Sequence, residues 1–216
     1  MAKNIRILIV CTGNICRSPM AEGLFRKLVR EAGLHDRVVV ESAGTFAPEG
    51  APASPEGVEV AAREGIDLRG HASRALSTRL VSRADRILVM EPEHRERLIA
   101  AFPEAEEKTF LLTTFADPQG DPLGVIDPIG MGVEVYERVY RQIEQALRAA
   151  LPEIERLANG QEEQPQRDGR PDGRDRAGSD SERANRAAGA ERASRAEGEE
   201  EFDRRGETGD GRGAGR

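Results

Sequence analysis

Cys11 and Arg17 stand six positions apart in the run Cys11-Thr12-Gly13-Asn14-Ile15-Cys16-Arg17-Ser18, and their types suggest phosphate chemistry. A cysteine thiolate is a nucleophile, and an arginine offers a planar fork that can grip two phosphate oxygens at once, where lysine would offer a point charge. Thr12, Gly13, Asn14, Ile15 and Cys16 lie between them and supply successive backbone N–H groups. Gly13 allows close approach, and Asn14 tolerates a left-handed backbone. Ser18 can offer its hydroxyl to the sulfur and also cap a helix that Pro19 begins. The same amides that would hold a phosphate would stabilise a thiolate, so eight residues can contain nucleophile, cradle and clamp.

Such a loop needs rigid elements at both ends. Residues 5–10 form a continuous apolar run of buried-strand type, and the segment after Pro19 reads as a helix with Met20, Leu24 and Leu28 on one face and Gly33 as its stop. Residues 38–40 start a second strand that ends through Glu41-Ser42-Ala43-Gly44. Ser54-Pro55 caps a helix closed at Gly65, and residues 77–82 suggest a short helix. A third strand over 86–90, a helix from Pro92 to a break at Pro103, a fourth strand over 109–112 and a long helical pattern from Val133 complete the series. Strands alternating with helices predict an α/β fold: a doubly wound, four-stranded parallel sheet in the order 2-1-3-4, with helices on both faces. Ligand loops then gather at the strands' carboxyl ends. Tyr136 and Tyr140, one helical turn apart, are expected to pack against the sheet, and His35 and His94, among charged neighbours, to be solvated.

The chain has 216 residues and a formal net charge of −7, which argues against general affinity for nucleic acid and for proteins or small phosphates as partners. Its two cysteines both fall in the loop, leaving none for a disulfide framework and favouring a reducing cytoplasm. No stretch approaches the ~20 apolar residues of a membrane span, so no membrane insertion is expected. From Gly160 onward Phe202 is the sole large apolar side chain, among about 12 arginines and about 15 acidic residues. The working domain is therefore expected over 1–158, followed by a disordered charged tail over 159–216. The sequence specifies no oligomeric state.

A thiolate attacking phosphorus needs a carboxylic acid to protonate the departing oxygen. Asp117-Pro118, Asp121-Pro122 and Asp127-Pro128 all compete, and each could simply form a turn.

The string Cys-Thr-Gly-Asn-Ile-Cys-Arg-Ser-Pro-Met-Ala-Glu, after a first strand near the N-terminus, resembles the signature of the low-molecular-weight protein tyrosine phosphatases, including bacterial members. The resemblance implies a phosphatase I-like fold and a phosphocysteine mechanism with no metal and no organic cofactor. It implies that the acid is Asp127, which precedes the last long helix, with Asp121 as fallback. It further implies that His71 supports Asn14 and that Ser42 stands beside the loop. Phe46, Ile15 and Ile129 would line the substrate slot. Tyrosine-directed relatives usually carry an aromatic residue where Ile129 stands, whereas Ile15 sides with phosphotyrosine against the threonine common in phosphoarginine phosphatases. The expected function is hydrolysis of phosphotyrosine in protein substrates, with protein arginine phosphatase as the alternative. Arsenate reduction would require relay cysteines that the chain lacks, and a phosphoprotein-binding module would need neither nucleophile nor acid. Cys16 could pair with Cys11 under oxidation, or merely fill space beneath the loop.

Overall fold

The computed structural model describes residues 4–119 and 123–161. β1 (Ile5–Cys11) leads through the loop into α1 (Arg17–Glu31), followed by β2 (Val38–Gly44), α2 (Pro55–Arg63), α3 (Thr78–Arg83), β3 (Arg86–Val89), α4 (Pro92–Ala101), β4 (Thr109–Leu111) and α5 (Val133–Ala158). Two 3₁₀ turns, Pro103–Lys108 and Leu112–Phe115, flank β4. All pairings are parallel, and the sheet order is β2-β1-β3-β4, as the alternation of elements predicts.

β1 is central, and its side chains divide between two apolar layers. Ile5, Ile7, Ile9 and Cys11 join the larger core with Met20, Leu24, Phe25 and Leu28 of α1 and Val139, Tyr140, Ile143 and Leu147 of α5. Leu8 and Val10 point the other way, into a smaller core with Val81 of α3 and Leu98 of α4. This two-sided burial is why β1 reads as an unbroken apolar run instead of an alternating one. The register sets Cys11 opposite Gly44 and Val10 beside Val89, so three strands end around the loop.

One helix starts before its expected position, and another starts where expected, at Ser54-Pro55, but without its side-chain capping bond. α1 begins at Arg17, with Cys16 at the cap position and no side-chain capping bond. Pro19 therefore lies inside the first turn, where an amide proton is not needed, and Ser18 does not cap the helix. At α2, Ser54 occupies the cap position without a side-chain bond, and its N–H instead donates to the Ile15 carbonyl at 2.8 Å. α1 closes at Gly33 and α2 at Gly65, both with positive φ. Residues 162–216, which include most of the segment expected to be a disordered tail, lie outside the described residues, as does Asp121.

Candidate active site

The loop between β1 and α1 is wired from below by Asn14. It is the one non-glycine residue with positive φ, 53°, among the described residues, and every polar group it has is bonded. Its N–H donates to Cys11 Sγ at 3.3 Å. Its Nδ2 donates to Ser18 Oγ at 2.9 Å and Ser42 Oγ at 2.8 Å, and its Oδ1 accepts the Arg74 N–H at 3.0 Å. His71 Nε2 lies 2.7 Å from the Asn14 carbonyl. A carbonyl can only accept, so that ring nitrogen carries the proton. These bonds stabilise a backbone conformation that would otherwise cost about 1 kcal/mol or more.

The same wiring sets the sulfur's surroundings. Ser18 Oγ accepts from Asn14, which leaves its own proton to donate to Cys11 Sγ, 3.0 Å away. Ser42 donates in turn to Glu22. The loop rests on Gly44 of β2, where a Cβ would come within 2.4 Å of the Thr12 carbonyl and 2.9 Å of the Asn14 nitrogen. Gly13 has no positive φ, and a Cβ there would press on the Ile15 side chain at 3.3 Å.

Arg17 is 1% exposed, yet both ends of its fork are occupied. Nη1 donates to Glu91 Oε2 at 2.6 Å and the Val125 carbonyl at 2.9 Å, and Nη2 donates to Asp127 Oδ2 at 2.7 Å. Asp127 is 37% exposed, at the edge of the loop. Two residues upstream, buried Val125 is anchored by donating its N–H to the Met90 carbonyl at 2.7 Å. Gly124 permits that approach, since a Cβ there would lie 2.1 Å from the same carbonyl. Asp127 Oδ1 also accepts the Ile129 N–H at 3.3 Å. Asp117, by contrast, is exposed and forms a local turn with the Gln119 N–H.

The three residues expected to line a substrate slot occupy different settings. Phe46 is 67% exposed, its N–H donates to the Thr12 carbonyl at 2.9 Å, and the Arg97 guanidinium lies 4.6 Å over its ring. Ile15 is half-buried and leans on the larger core. Ile129 is 59% exposed and belongs to an apolar rim with Leu123, Ile126 and Met131.

The structure adds residues that the sequence reading did not assign. His94, expected to be solvated, is 2% exposed. Its Nδ1 accepts the Glu91 N–H at 3.1 Å, and its Nε2 is 2.8 Å from Thr12 Oγ1. Burial, reinforced by the Arg17 guanidinium, lowers its pKa to about 4. Tyr136, expected only to pack, donates its hydroxyl to Cys16 Sγ at 3.2 Å, and burial pushes the Cys16 thiol's pKa up. One signal was available for Glu91 and His94: they directly follow β3, at the carboxyl end of a strand neighbouring β1.

Comparisons with known proteins agree with this fold. A family model described as low molecular weight phosphotyrosine protein phosphatase matches residues 6–161. A protein-arginine-phosphatase of Bacillus subtilis is 35% identical over 150 residues, covering 69% of this chain and 97% of that protein. The low molecular weight protein-tyrosine-phosphatase Etp of Escherichia coli is 40% identical over 140 residues, covering 65% and 88%. The crystal structure of a low molecular weight protein tyrosine phosphatase from T. tengcongensis superposes with a TM-score of 0.64 at 39% identity, covering 69% of this chain and 99% of that one.

Proposed function

The chain belongs to the low molecular weight phosphotyrosine protein phosphatase family, and from that membership we propose that it hydrolyses phosphotyrosine in proteins, with Cys11, Arg17 and Asp127 as its catalytic residues. The observation that carries the assignment is one constellation. Cys11 Sγ accepts the Asn14 N–H beside Ser18 Oγ, while Arg17, at the far end of the same loop, holds the Asp127 carboxylate at 2.7 Å.

The reaction has two steps. Cys11 Sγ attacks phosphorus, the ester P–O bond breaks, and a proton passes from the Asp127 carboxyl to the departing oxygen. The amides of the loop from Thr12 to Ser18 and the Arg17 fork stabilise the equatorial oxygens as charge redistributes. Water then attacks the cysteinyl phosphate, giving its proton back to Asp127 as the S–P bond breaks and inorganic phosphate leaves. No cofactor enters either step. Asn14, His71 and Ser42 hold the loop in shape, and Phe46, Ile15 and Ile129 meet the phosphorylated side chain.

A second reading, protein arginine phosphatase, is favoured by the aliphatic Ile129 at the rim and by the B. subtilis relative. The net charge of −7 supports a protein partner over nucleic acid. The lack of cysteines outside the loop supports a cytoplasmic location. Among the described residues no helix is long and apolar enough to cross a membrane.

The test is hydrolysis of an aryl phosphate and, side by side, of phosphotyrosine and phosphoarginine peptides. Turnover of the tyrosine peptide at the higher kcat/KM is expected, and a reversed ratio would establish the arginine activity instead. Cys11→Ser should lower kcat by about 10⁴-fold or more while keeping affinity for inorganic phosphate. Appreciable residual turnover would remove Cys11 as nucleophile.

A further inference from the structure

The Glu91 N–H can only donate, so His94 Nδ1, 3.1 Å away, must be the acceptor. A neutral ring then carries its proton on Nε2, and that N–H donates to Thr12 Oγ1 at 2.8 Å. The groups facing the ring favour this neutral form in sum, since burial dominates and lowers its pKa to about 4. Arg17 of α1 and Arg97 of α4 act in the same direction, whereas Glu93 and Asp127 oppose. Glu91 Oε2, 3.5 Å from Nε2, is already engaged by Arg17.

Thr12 Oγ1 meets a second donor, Arg17 Nη2, at 3.4 Å. With both its lone pairs facing donors, the Thr12 hydroxyl has only its own proton left to offer. Its direction is thereby decided by a histidine more than eighty positions away in the chain.

We propose that His94 is a positioning residue for the phosphate loop: by donating from Nε2 it turns Thr12 into a hydrogen-bond donor beside the Arg17 fork, aimed at the same oxyanion. The proposal rests on the phosphatase reading above and deepens it. Glu91 serves the same purpose from the other side, since its N–H sets the tautomer of His94 while its carboxylate holds Arg17.

Two replacements separate the functions of the ring. In His94→Asn the amide oxygen can take over the place of Nδ1 and keep the bond from Glu91, but nothing reaches Thr12. In His94→Gln the longer amide can place an N–H where Nε2 stood. With an aryl phosphate, H94N should lower kcat/KM about five- to tenfold, T12V by a similar factor, and the H94N/T12V pair no further than either alone. H94Q should recover most of the loss. Urea unfolding of each variant separates these effects from loss of fold, and nitrogen NMR of the ring should show a neutral, Nε2-protonated His94.

The same cycle is run on affinity for inorganic phosphate. Absence of turnover by the unaltered protein would then sink the hydrolase reading alone, while coupling in affinity still decides the role of His94. Wild-type kinetics in H94N, strictly multiplicative effects in the double variant, or a ring protonated on Nδ1 would each overturn the proposal.

Discussion

The loop after β1 and the loop before α5 meet at Arg17, and they are built in opposite ways. In the first, Cys11, Asn14, Arg17 and Ser18 are all buried, and Cys11, Asn14 and Ser18 are tied to one another or to β2. In the second, Asp127 is held by Arg17 and by a turn to Ile129, while Leu123, Ile126, Ile129 and Met131 face solvent. The cradle's shape is stabilised by the fold itself. The rim is fastened at Val125, Asp127 and buried Pro128, and its large apolar side chains are exposed, as suits a surface that must accept a protein. Under the proposed function, the difference teaches where to look for each property: the nucleophile and its cradle in the buried loop, substrate choice in the exposed one.

That division can be broken most severely at Asp127, the acid proposed for the rim. Asp127→Ala should lower kcat about 10²- to 10⁴-fold for esters with poor leaving groups and far less for good ones. A leaving-group series measures this, and a uniform loss across the series would show that Asp127 only steadies Arg17. Next in size comes the cradle. Asn14→Ala removes the side-chain bonds to three partners, Ser18, Ser42 and Arg74, and leaves φ at 53° on a residue that disfavours it, so stability should fall by about 2–4 kcal/mol in urea unfolding. A change below about 0.5 kcal/mol would mean that the loop keeps its shape without Asn14.

His94 provides a smaller, pH-dependent effect. Its folded pKa of about 4 lies below the ordinary histidine value of 6.5, so in between the unfolded chain binds a proton that the folded one refuses. Stability from this group is complete above about pH 6.5 and is lost as pH falls towards 4, by up to about 2 kcal/mol between pH 7 and 5. Unfolding at both pH values should show a flatter dependence in H94Q; an unchanged slope would remove His94 from the acid sensitivity. Smallest of all, Ile129→Ala and Met131→Ala should shift stability by no more than about 0.5 kcal/mol while altering the ratio of tyrosine to arginine peptide hydrolysis several-fold. Loss of fold in either would contradict the picture of an exposed rim.

The four strands and their order were legible because buried parallel strands declare themselves as short apolar runs separated by helical periods. The cradle was legible because its parts are contiguous. Glu91 and His94 were not, since a histidine between Glu93 and Arg95 has the composition of a solvated helix start, and only the packing of α4 against the loop buries it. Tyr136 was read as apolar filler for a similar reason: helical spacing identifies a buried face but not the sulfur that its hydroxyl will find. The start of α1 was misplaced by two residues because Pro19 fits the third position of a first turn as well as the first.

The twin carboxylates on Arg17 have one more implication. Any free phosphate competing for that fork must contend with Glu91 and Asp127, tethered groups whose effective concentration at the guanidinium far exceeds that of a solute. Inorganic phosphate should accordingly be a feeble inhibitor, and the spent site should clear itself between turnovers.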